Sequence, residues 1–228
     1  MSNSPLVDFT CISPNSSNPR KGKIQKITIH HTAGKISVEG LGNTFKPKSR
    51  GASSNYGVDS DGRVGLYVEE KNRAWTSSSP ANDHVAVTIE VSNDGGSNWH
   101  VSDKALSKTI ELCADICKRN GIEKLIFTGD KNGNLTMHKY FAATGCPGPY
   151  LESKFPYIAE EVNKILAGNK KEAAKPKELT SVNDIVWELH HRGIISDKNL
   201  WLSKLASDTD AYWLARKCVN LTQNKAVK

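Results

Sequence analysis

The sequence predicts an α/β fold with a mixed central β-sheet flanked by helices, followed by a small all-α domain of three helices. In the first 166 residues, segments with strand-like alternation are interleaved with segments of helical period, which is typical of layered α/β domains. The stretch 167–178 is charged, lacks large apolar residues and contains Pro176, as solvated linkers do. We therefore expect a domain at 1–166, a linker at 167–179 and a second domain at 180–228.

Four segments carry strand signals, namely β-branched or alternating apolar residues bounded by turn residues. They are KITIHHTAG (26–34), NYGVDSDGRVGLYVEE (55–70), HVAVTIEVSND (84–94) and EKLIFTGD (123–130). The second segment contains Asp61-Gly62, a dipeptide typical of hairpin turns, so we expect a pair of strands there. Each of the other three segments predicts one strand.

Helical periodicity predicts two long helices in the first domain. One runs from Asp103 to Asn120 and is stopped by Gly121, and the other spans roughly Pro149 to Leu166. A glycine directly after the last periodic residue is a common helix terminator. Because predicted strands alternate with these helices along the chain, we expect a mixed sheet.

Three short helices are predicted in the second domain. Ser181–Asp184 has the form of a capping box, and the helix it begins should stop at Gly193. Ser196 is the expected cap of the second helix, and Asp208 or Thr209 that of the third. A unit this small is near the lower limit of independent stability, so its tryptophans are first of all expected in the core. They are Trp187, Trp201 and Trp213.

The charge balance predicts a polyanionic partner. The 228 residues include 31 basic and 24 acidic side chains, a net charge of +7, which favours nucleic acid or an anionic bacterial wall. Apolar runs are far shorter than the ~18 residues that span a bilayer, and the N-terminus lacks a basic start followed by an apolar core. Membrane insertion and a secretory signal are therefore not expected. The five cysteines lack paired spacing, which argues against a disulfide scaffold.

Strand alternation separates the candidate site residues by face. His31 shares a face with Ile27 and Ile29, which predicts that it points to the core, whereas His30 points to the polar face. The same alternation puts Glu90 on the polar face of an otherwise apolar strand. A carboxylate there is costly unless it is solvated or paired, so it is a candidate acid or base. The alternative is a sheet edge exposed to water.

A second histidine and a cysteine lie close together in a Gly/Pro-rich stretch, TMHKYFAATGCPGP (136–149). His138 and Cys146 do not have the spacing of a zinc finger, and the sequence has no CxxC pair. Together with His30 they would make three protein ligands and leave one position open, as a catalytic zinc requires. Spacing alone does not establish that combination.

Five short motifs follow one another along the predicted first domain. IHHTAG, NYGV with its DG hairpin, AWTS, VTIEVSND and MHKYFAATGCPGP follow one another over about residues 22–166. In these blocks the chain resembles the zinc-dependent N-acetylmuramoyl-L-alanine amidases, close to phage endolysins and peptidoglycan-recognition proteins. The resemblance implies a Zn2+ cofactor, two catalytic residues and three substrate-binding residues. The zinc ligands are His30, His138 and Cys146, the catalytic residues are Glu90 and Tyr56, and the substrate-binding residues are Trp75, Thr144 and Asn55.

The resemblance also implies a reaction. Zinc-assisted hydrolysis would cleave the amide bond between N-acetylmuramic acid and L-alanine and so lyse bacterial walls. Glu90 would act as general base, and the Tyr56 hydroxyl would donate to the oxyanion. Thr144 stands where such amidases often carry a basic residue, so the group assisting Tyr56 is left open.

The expected partners are peptidoglycan and anionic wall polymers, with no nucleic acid. Like a phage endolysin, the protein is expected in the host cytoplasm before its release to the wall, and residues 180–228 are expected to bind the wall. Two other functions remain open on the sequence. One is a peptidoglycan-binding protein of the same fold without hydrolysis, and the other is a nucleic-acid binder, which rests on charge alone.

Overall fold

The computed structural model describes residues 2–168, 181–191, 195, 197–208, 211–212 and 215. The strands are β1 (Phe9–Thr10), β2 (Ser16–Ser17), β3 (Lys26–His31), β4 (Tyr56–Val58), β5 (Val64–Leu66), β6 (Arg73–Ala74), β7 (Ala86–Val91) and β8 (Leu135–Met137). The helices are α1 (Val38–Phe45), α2 (Pro80–Asp83), α3 (Asp103–Asn120), α4 (Pro149–Leu166), α5 (Val182–His191) and α6 (Lys198–Ser207), with 3-10 turns at Lys48–Arg50 and His138–Tyr140. The chain divides into two compact units, Met1–Asn169 and Lys170–Lys228.

The first unit is built on a six-stranded mixed sheet with the order β1-β5-β4-β7-β3-β8. Strand β3 runs parallel to both β7 and β8, β4 is parallel to β7, and β4 and β5 form the antiparallel pair predicted around Asp61-Gly62. This confirms the predicted α/β class with a mixed central sheet. Because β3, β7 and β8 are parallel, their carboxyl ends lie at one edge of the sheet.

The two faces of the sheet differ in chemistry. Ile29 pairs in register with Ile89 and Met137, and all three are buried in the main apolar core with residues of α3 and α4. On the opposite face, Thr28 pairs with Thr88 and Thr136, and the hydroxyls of Thr28 and Thr136 are 2.9 Å apart. The helices thus cover an apolar face, and a buried polar ladder lines the other.

Both long helices begin and end as predicted. The Ser102 side chain caps α3 by accepting from the Ala105 N–H, and Gly121 ends the helix at φ +68°. The left-handed conformation of that cap suits a glycine. Helix α4 begins with Pro149, a first-turn position where the missing N–H costs no intrahelical bond.

Helix α1 was not predicted, because two glycines interrupt its helical pattern. Ser37 caps it by accepting from the Gly40 N–H. A Cβ on Gly40 would come within 2.8 Å of Ile36, and one on Gly42 within 2.9 Å of Cys11. Glycine lowers helix propensity, but close packing favours it at both positions.

The strand predicted at 123–130 is wrong. This segment forms no ladder, because side chains take its N–H groups: Asn163 Oδ1 accepts from Leu125 and Asn134 Oδ1 from Ile126. The strand beside β3 at one edge of the sheet is instead β8, within a stretch whose Gly and Pro content predicts a loop.

The second unit has its own small apolar core, formed by five buried residues with Trp201 packed against them. Those residues are Ile185, Val186, Leu189, Ile195 and Leu205. Helix α5 follows Ser181 as predicted, whereas α6 is capped by Asp197, one residue after the predicted Ser196. Most of the third predicted helix, Trp213 and the Trp187 side chain lie outside the described residues. In the part of the chain that is described, no helix has both the length and the apolar composition needed to cross a membrane.

Candidate metal centre and active site

The sheet brings three potential metal ligands together at the carboxyl edge of its parallel strands. His30 lies near the end of β3, His138 directly follows β8, and Cys146 lies in the loop that leads into α4. One ligand atom from each of them lies within 4.8 Å of the other two. The geometry thus joins three residues that are far apart in the sequence.

The two histidines present nitrogens that the protein leaves unpaired. Nε2 of His30 and Nε2 of His138 are both buried without a hydrogen-bond partner, and the ring centroids are 4.6 Å apart. Buried polar atoms are normally satisfied, because an unpaired one costs free energy. Two such nitrogens facing a shared space indicate that a ligand completes the site.

The donor set fits zinc. Zinc takes imidazole nitrogen at about 2.0–2.1 Å and thiolate at about 2.3 Å, and catalytic sites have three protein ligands with one position left open. Two imidazoles and one thiol meet this requirement in type and number. The backbone N–H of His31 donates to Cys146 Sγ at 3.3 Å, a bond that orients the sulfur.

Burial dominates the electrostatics of the ligands. It lowers the pKa of His30, and the nearby His138 and His31 lower it further. Burial also lowers the pKa of His138, so both imidazoles are neutral at physiological pH, the form that binds metals. Burial raises the pKa of the Cys146 thiol, and Glu90 raises it further. A bound cation reverses this effect by favouring the thiolate.

Glu90 lies next to the ligands. It pairs in register with His30 across the parallel β3–β7 ladder, and its Oε2 is buried without a hydrogen-bond partner. Burial raises the pKa of Glu90 to about 8, and the positive charge of Arg50 partly opposes that rise. A carboxyl group that titrates near neutrality is suited to proton transfer. Arg50 was missed in the sequence, where it is one more basic residue in a loop.

His31 is buried on the other face, as its apolar strand neighbours predicted. Its Nδ1 is 2.7 Å from the Asn93 amide nitrogen, and burial, reinforced by His138, lowers its pKa to about 4. Its side chain is therefore separate from the ligand set. Its backbone is not, since the same residue donates to Cys146.

The structure does not bring Tyr56 to the metal-ligand candidates. Tyr56 pairs with Ile89 while Gly57 pairs with Glu90, so the tyrosine side chain points to the helix-covered face. It is fully buried there, and its hydroxyl donates to Glu70 Oε1 at 2.7 Å and accepts from the Ser4 N–H at 2.8 Å. This hydroxyl has no access to an oxyanion at the metal centre.

The structure does not bring Asn55 to a surface that a substrate could reach, for a different reason. Asn55 lies on the polar face, but it is fully buried. Its Oδ1 accepts from the Thr88 N–H and its amide nitrogen donates to the Val68 carbonyl. It joins β7 to the segment after β5 and offers no surface to a substrate.

The other two predicted substrate-binding residues, Trp75 and Thr144, both reach the surface. Trp75 is half-buried, and its indole N–H donates to Ser17 Oγ at 2.9 Å. Thr144 is exposed, and its hydroxyl accepts from the Cys146 N–H at 3.2 Å. Thr144 therefore shapes the loop that carries the cysteine, and its contact with substrate stays a prediction.

A known protein family matches the part of the chain that carries this site. A family model described as N-acetylmuramoyl-L-alanine amidase matches residues 20–149. No curated protein sequence matches the chain significantly.

Solved structures share the fold over about two thirds of the chain. PlyL is 15% identical, with 68% of this chain and 96% of that chain covered and a TM-score of 0.53. The catalytic domain of XlyA is 17% identical, with 68% and 99% covered and a TM-score of 0.52. N-acetylmuramoyl-L-alanine amidase LysC from Clostridium intestinale URNW is 20% identical, with 70% and 97% covered and a TM-score of 0.50. At these identities the likeness shows the fold alone.

Proposed function

Because the chain belongs to the N-acetylmuramoyl-L-alanine amidase family, we propose that it is a zinc-dependent peptidoglycan hydrolase. It cleaves the amide bond between N-acetylmuramic acid and L-alanine, with zinc held by His30, His138 and Cys146. The observation that carries this proposal is the convergence of those three ligand atoms within 4.8 Å, with both imidazole nitrogens buried and unpaired.

The metal, Glu90 and Tyr56 differ in what they contribute to the proposed reaction. When bound by His30, His138 and Cys146, zinc would act as a Lewis acid, which would lower the pKa of a bound water and polarise the substrate carbonyl. Glu90, ionised once a cation lies beside it, would accept the proton of the attacking water at Oε2 and return it to the nitrogen of the departing L-alanine. Its burial and its lack of a hydrogen-bond partner leave this oxygen free for that task. The Tyr56 hydroxyl takes no part, since it lies on the opposite face.

A non-hydrolytic peptidoglycan-binding protein is the alternative. Such a protein needs neither a complete ligand set nor a carboxyl group of raised pKa beside it. This chain has both, in His30, His138, Cys146 and Glu90. That combination favours hydrolysis over binding alone.

Digestion of purified bacterial walls tests the proposal. The amidase must release free L-alanine amino termini and create no new reducing sugars. Cys146→Ser and Glu90→Gln should each abolish most of that release, while Glu111→Gln, a change at an exposed carboxylate of α3, should leave it unchanged. New reducing ends, or amino termini other than L-alanine, would assign the enzyme to another bond. Wall binding without new ends would support the alternative.

We further propose that the protein lyses the bacterial wall as an endolysin and that residues 180–228 target it to that wall. Residues 180–228 carry 7 basic and 5 acidic side chains, a net charge of +2, and the small apolar core described above can support a separate module. A tethered weak binder raises the local concentration of an enzyme on its substrate.

Truncation after Ala167 tests the targeting role. The shortened protein should cleave soluble muropeptides at the full rate and sediment less with intact walls. The isolated tail should sediment with those walls at physiological salt. A tail without wall affinity would mean that these helices serve another purpose.

A further inference from the structure

A half-buried tryptophan packs on the loop that carries Cys146. Trp99 lies between β7 and α3, and its ring centroid is 4.4 Å from that of His31, with 41° between the planes. His31 is the last residue of β3 and directly follows the metal-ligand candidate His30. Trp99 thus contacts the strand end that supplies one ligand.

The same indole lies against the backbone of the cysteine loop. A Cβ placed on Gly148 would come within 2.5 Å of Trp99 Cε3, and one on Gly145 would lie 3.7 Å from Cζ3. These glycines flank Cys146 in the sequence. The indole approaches the loop so closely at Gly148 that a side chain there would displace one of the two.

The loop around Trp99 is held in place by its own hydrogen bonds. Asp94 Oδ1 accepts from the N–H groups of Gly96 and His100, and the Trp99 N–H donates to the Gly96 carbonyl. Trp99 has φ +48°, in a region that large side chains rarely adopt. The surrounding contacts therefore fix an unusual backbone conformation that delivers the indole to this position.

Two further contacts attach this loop to both sides of the metal centre. The His100 ring lies 4.4 Å from that of Tyr150 in the first turn of α4, just after the cysteine loop. On the strand side, the Asn93 amide lies 2.7 Å from His31 Nδ1. The His31 N–H in turn donates to Cys146 Sγ. The indole therefore bridges the strand end and the cysteine loop, whose ligands must meet at one ion.

We propose that Trp99 is a positioning residue that clamps the Cys146 loop onto the end of β3 and thereby holds the sulfur in place for the metal. This inference rests on the zinc site proposed above. Trp99 acts through Cys146 and His31, and it needs no contact with the substrate. No motif in the sequence marked Trp99, whereas Trp75 was the tryptophan assigned to the site.

Metal affinity is the readout that separates this role from general packing. Zinc binding to the full-length protein is measured by competition with a chromophoric chelator, for Trp99→Ala, Trp99→Phe and Tyr157→Ala. Tyr157 is an exposed aromatic residue of α4 and serves as the control. Trp99→Ala should bind zinc about 10–100-fold more weakly, as is typical when support around a metal ligand is lost. Trp99→Phe should regain most of the affinity, and Tyr157→Ala should match the wild type.

The cobalt-substituted protein reports on the sulfur itself. The thiolate-to-cobalt charge-transfer band should weaken or shift in Trp99→Ala and recover in Trp99→Phe. Gly148→Ala should also weaken zinc binding, partly through backbone strain at φ +85° and partly through the collision with the indole. The part due to the collision should disappear in the double variant with Trp99→Ala. Should Trp99→Ala fail to fold by circular dichroism, Trp99→Leu takes its place in the single and in the double variant.

The outcomes distinguish this inference from the proposed function. A wild-type protein that binds no zinc would overturn both. A wild type that binds zinc, with a folded Trp99→Ala that binds it within about threefold and keeps the cobalt band, would overturn the clamp alone. So would equal effects of Gly148→Ala with and without Trp99.

Discussion

Two carboxyl groups on opposite faces of the sheet, the fully buried Glu70 and the half-buried Glu90, differ in how many hydrogen bonds they receive. On the helix-covered side, Glu70 accepts from the Tyr56 hydroxyl, from two guanidinium nitrogens of Arg119 at 2.6 and 2.9 Å, and from the Asn120 amide. On the polar side, Glu90 keeps a buried oxygen without any partner. The saturated carboxylate holds the fold together. The unsaturated one is available for chemistry.

The same contrast extends to other side chains. Among the described residues, five buried side-chain atoms lack a hydrogen-bond partner, and three of them belong to the candidate metal centre. Those three are His30 Nε2, His138 Nε2 and Glu90 Oε2. Each unpaired group costs of the order of 1–3 kcal/mol, so their clustering indicates a site completed by a ligand.

The largest effect is expected at the unsaturated carboxyl group. Glu90→Gln should keep the fold and the metal but lower kcat by ~10²–10⁴, because the amide cannot accept the proton of the water. Release of L-alanine amino termini and zinc content are measured on the same sample. A kcat within about threefold of the wild type would remove Glu90 from the role of general base.

The saturated carboxylate should behave in the opposite way. Glu70→Gln should lower the free energy of unfolding by about 3 kcal/mol, because it leaves the Arg119 cation without its buried partner. The kcat of the folded protein should stay unchanged. Urea unfolding and turnover under native conditions measure the two quantities separately. An intact stability with a lowered kcat would mean that the two carboxyl groups have been assigned to the wrong tasks.

A smaller change is expected at Tyr56, which was predicted to be catalytic and lies beside Glu70. Tyr56→Phe removes one hydrogen bond to Glu70 and one from the Ser4 N–H. The expected cost is ~1–2 kcal/mol of stability, with unchanged kcat. A loss of ~10² or more in kcat with zinc retained would restore the oxyanion role to Tyr56.

The sequence predicted the fold wherever local patterns were strong. The predicted alternation around His30 and Glu90 and the predicted long helices α3 and α4 all match the structure. Helix α1 was missed, because the packing that requires Gly40 and Gly42 is not visible in the sequence. The segment 123–130 has strand-like composition, but distant asparagine side chains occupy its N–H groups.

The sequence predicted some site residues better than others, because strand register decides on which face of the sheet each side chain lies. The ligand set came from a resemblance, and the sheet topology brings its members together. Tyr56 and Glu90 each lie on a predicted strand, but no sequence pattern shows that Ile89, and not Glu90, pairs with Tyr56. A shift of one residue moves a side chain to the other face. Asn55 lies on the correct face, and only the packing above it shows that it is buried.

The smallest effect is expected for a carboxylate at the surface, which gives a reference for Glu70 and Glu90. Arg63 lowers the pKa of Glu39 to about 2, chiefly through a 2.6 Å hydrogen bond. The pair is exposed and screened by solvent, so its contribution is slight. Because the pKa of Glu39 is lowered, the pair stabilises the folded state above the ordinary pKa of a glutamate. This stabilisation disappears as the pH falls toward 2. Glu39→Gln should therefore lower the melting temperature slightly at pH 7 and by less at pH 3. An equal decrease at both pH values would contradict this assignment.

Metal titration of the stripped enzyme tests the proposed zinc amidase most directly. The full-length protein is freed of metal by chelation, and zinc is then added back while release of L-alanine amino termini from purified walls is followed. Activity should be absent at the start, rise in proportion to zinc and saturate at about one equivalent per chain, as three protein ligands around one ion require. Cys146→Ser should not respond. Full hydrolysis by the metal-free protein, or an equal response from Cys146→Ser, would contradict the assignment of these three ligands.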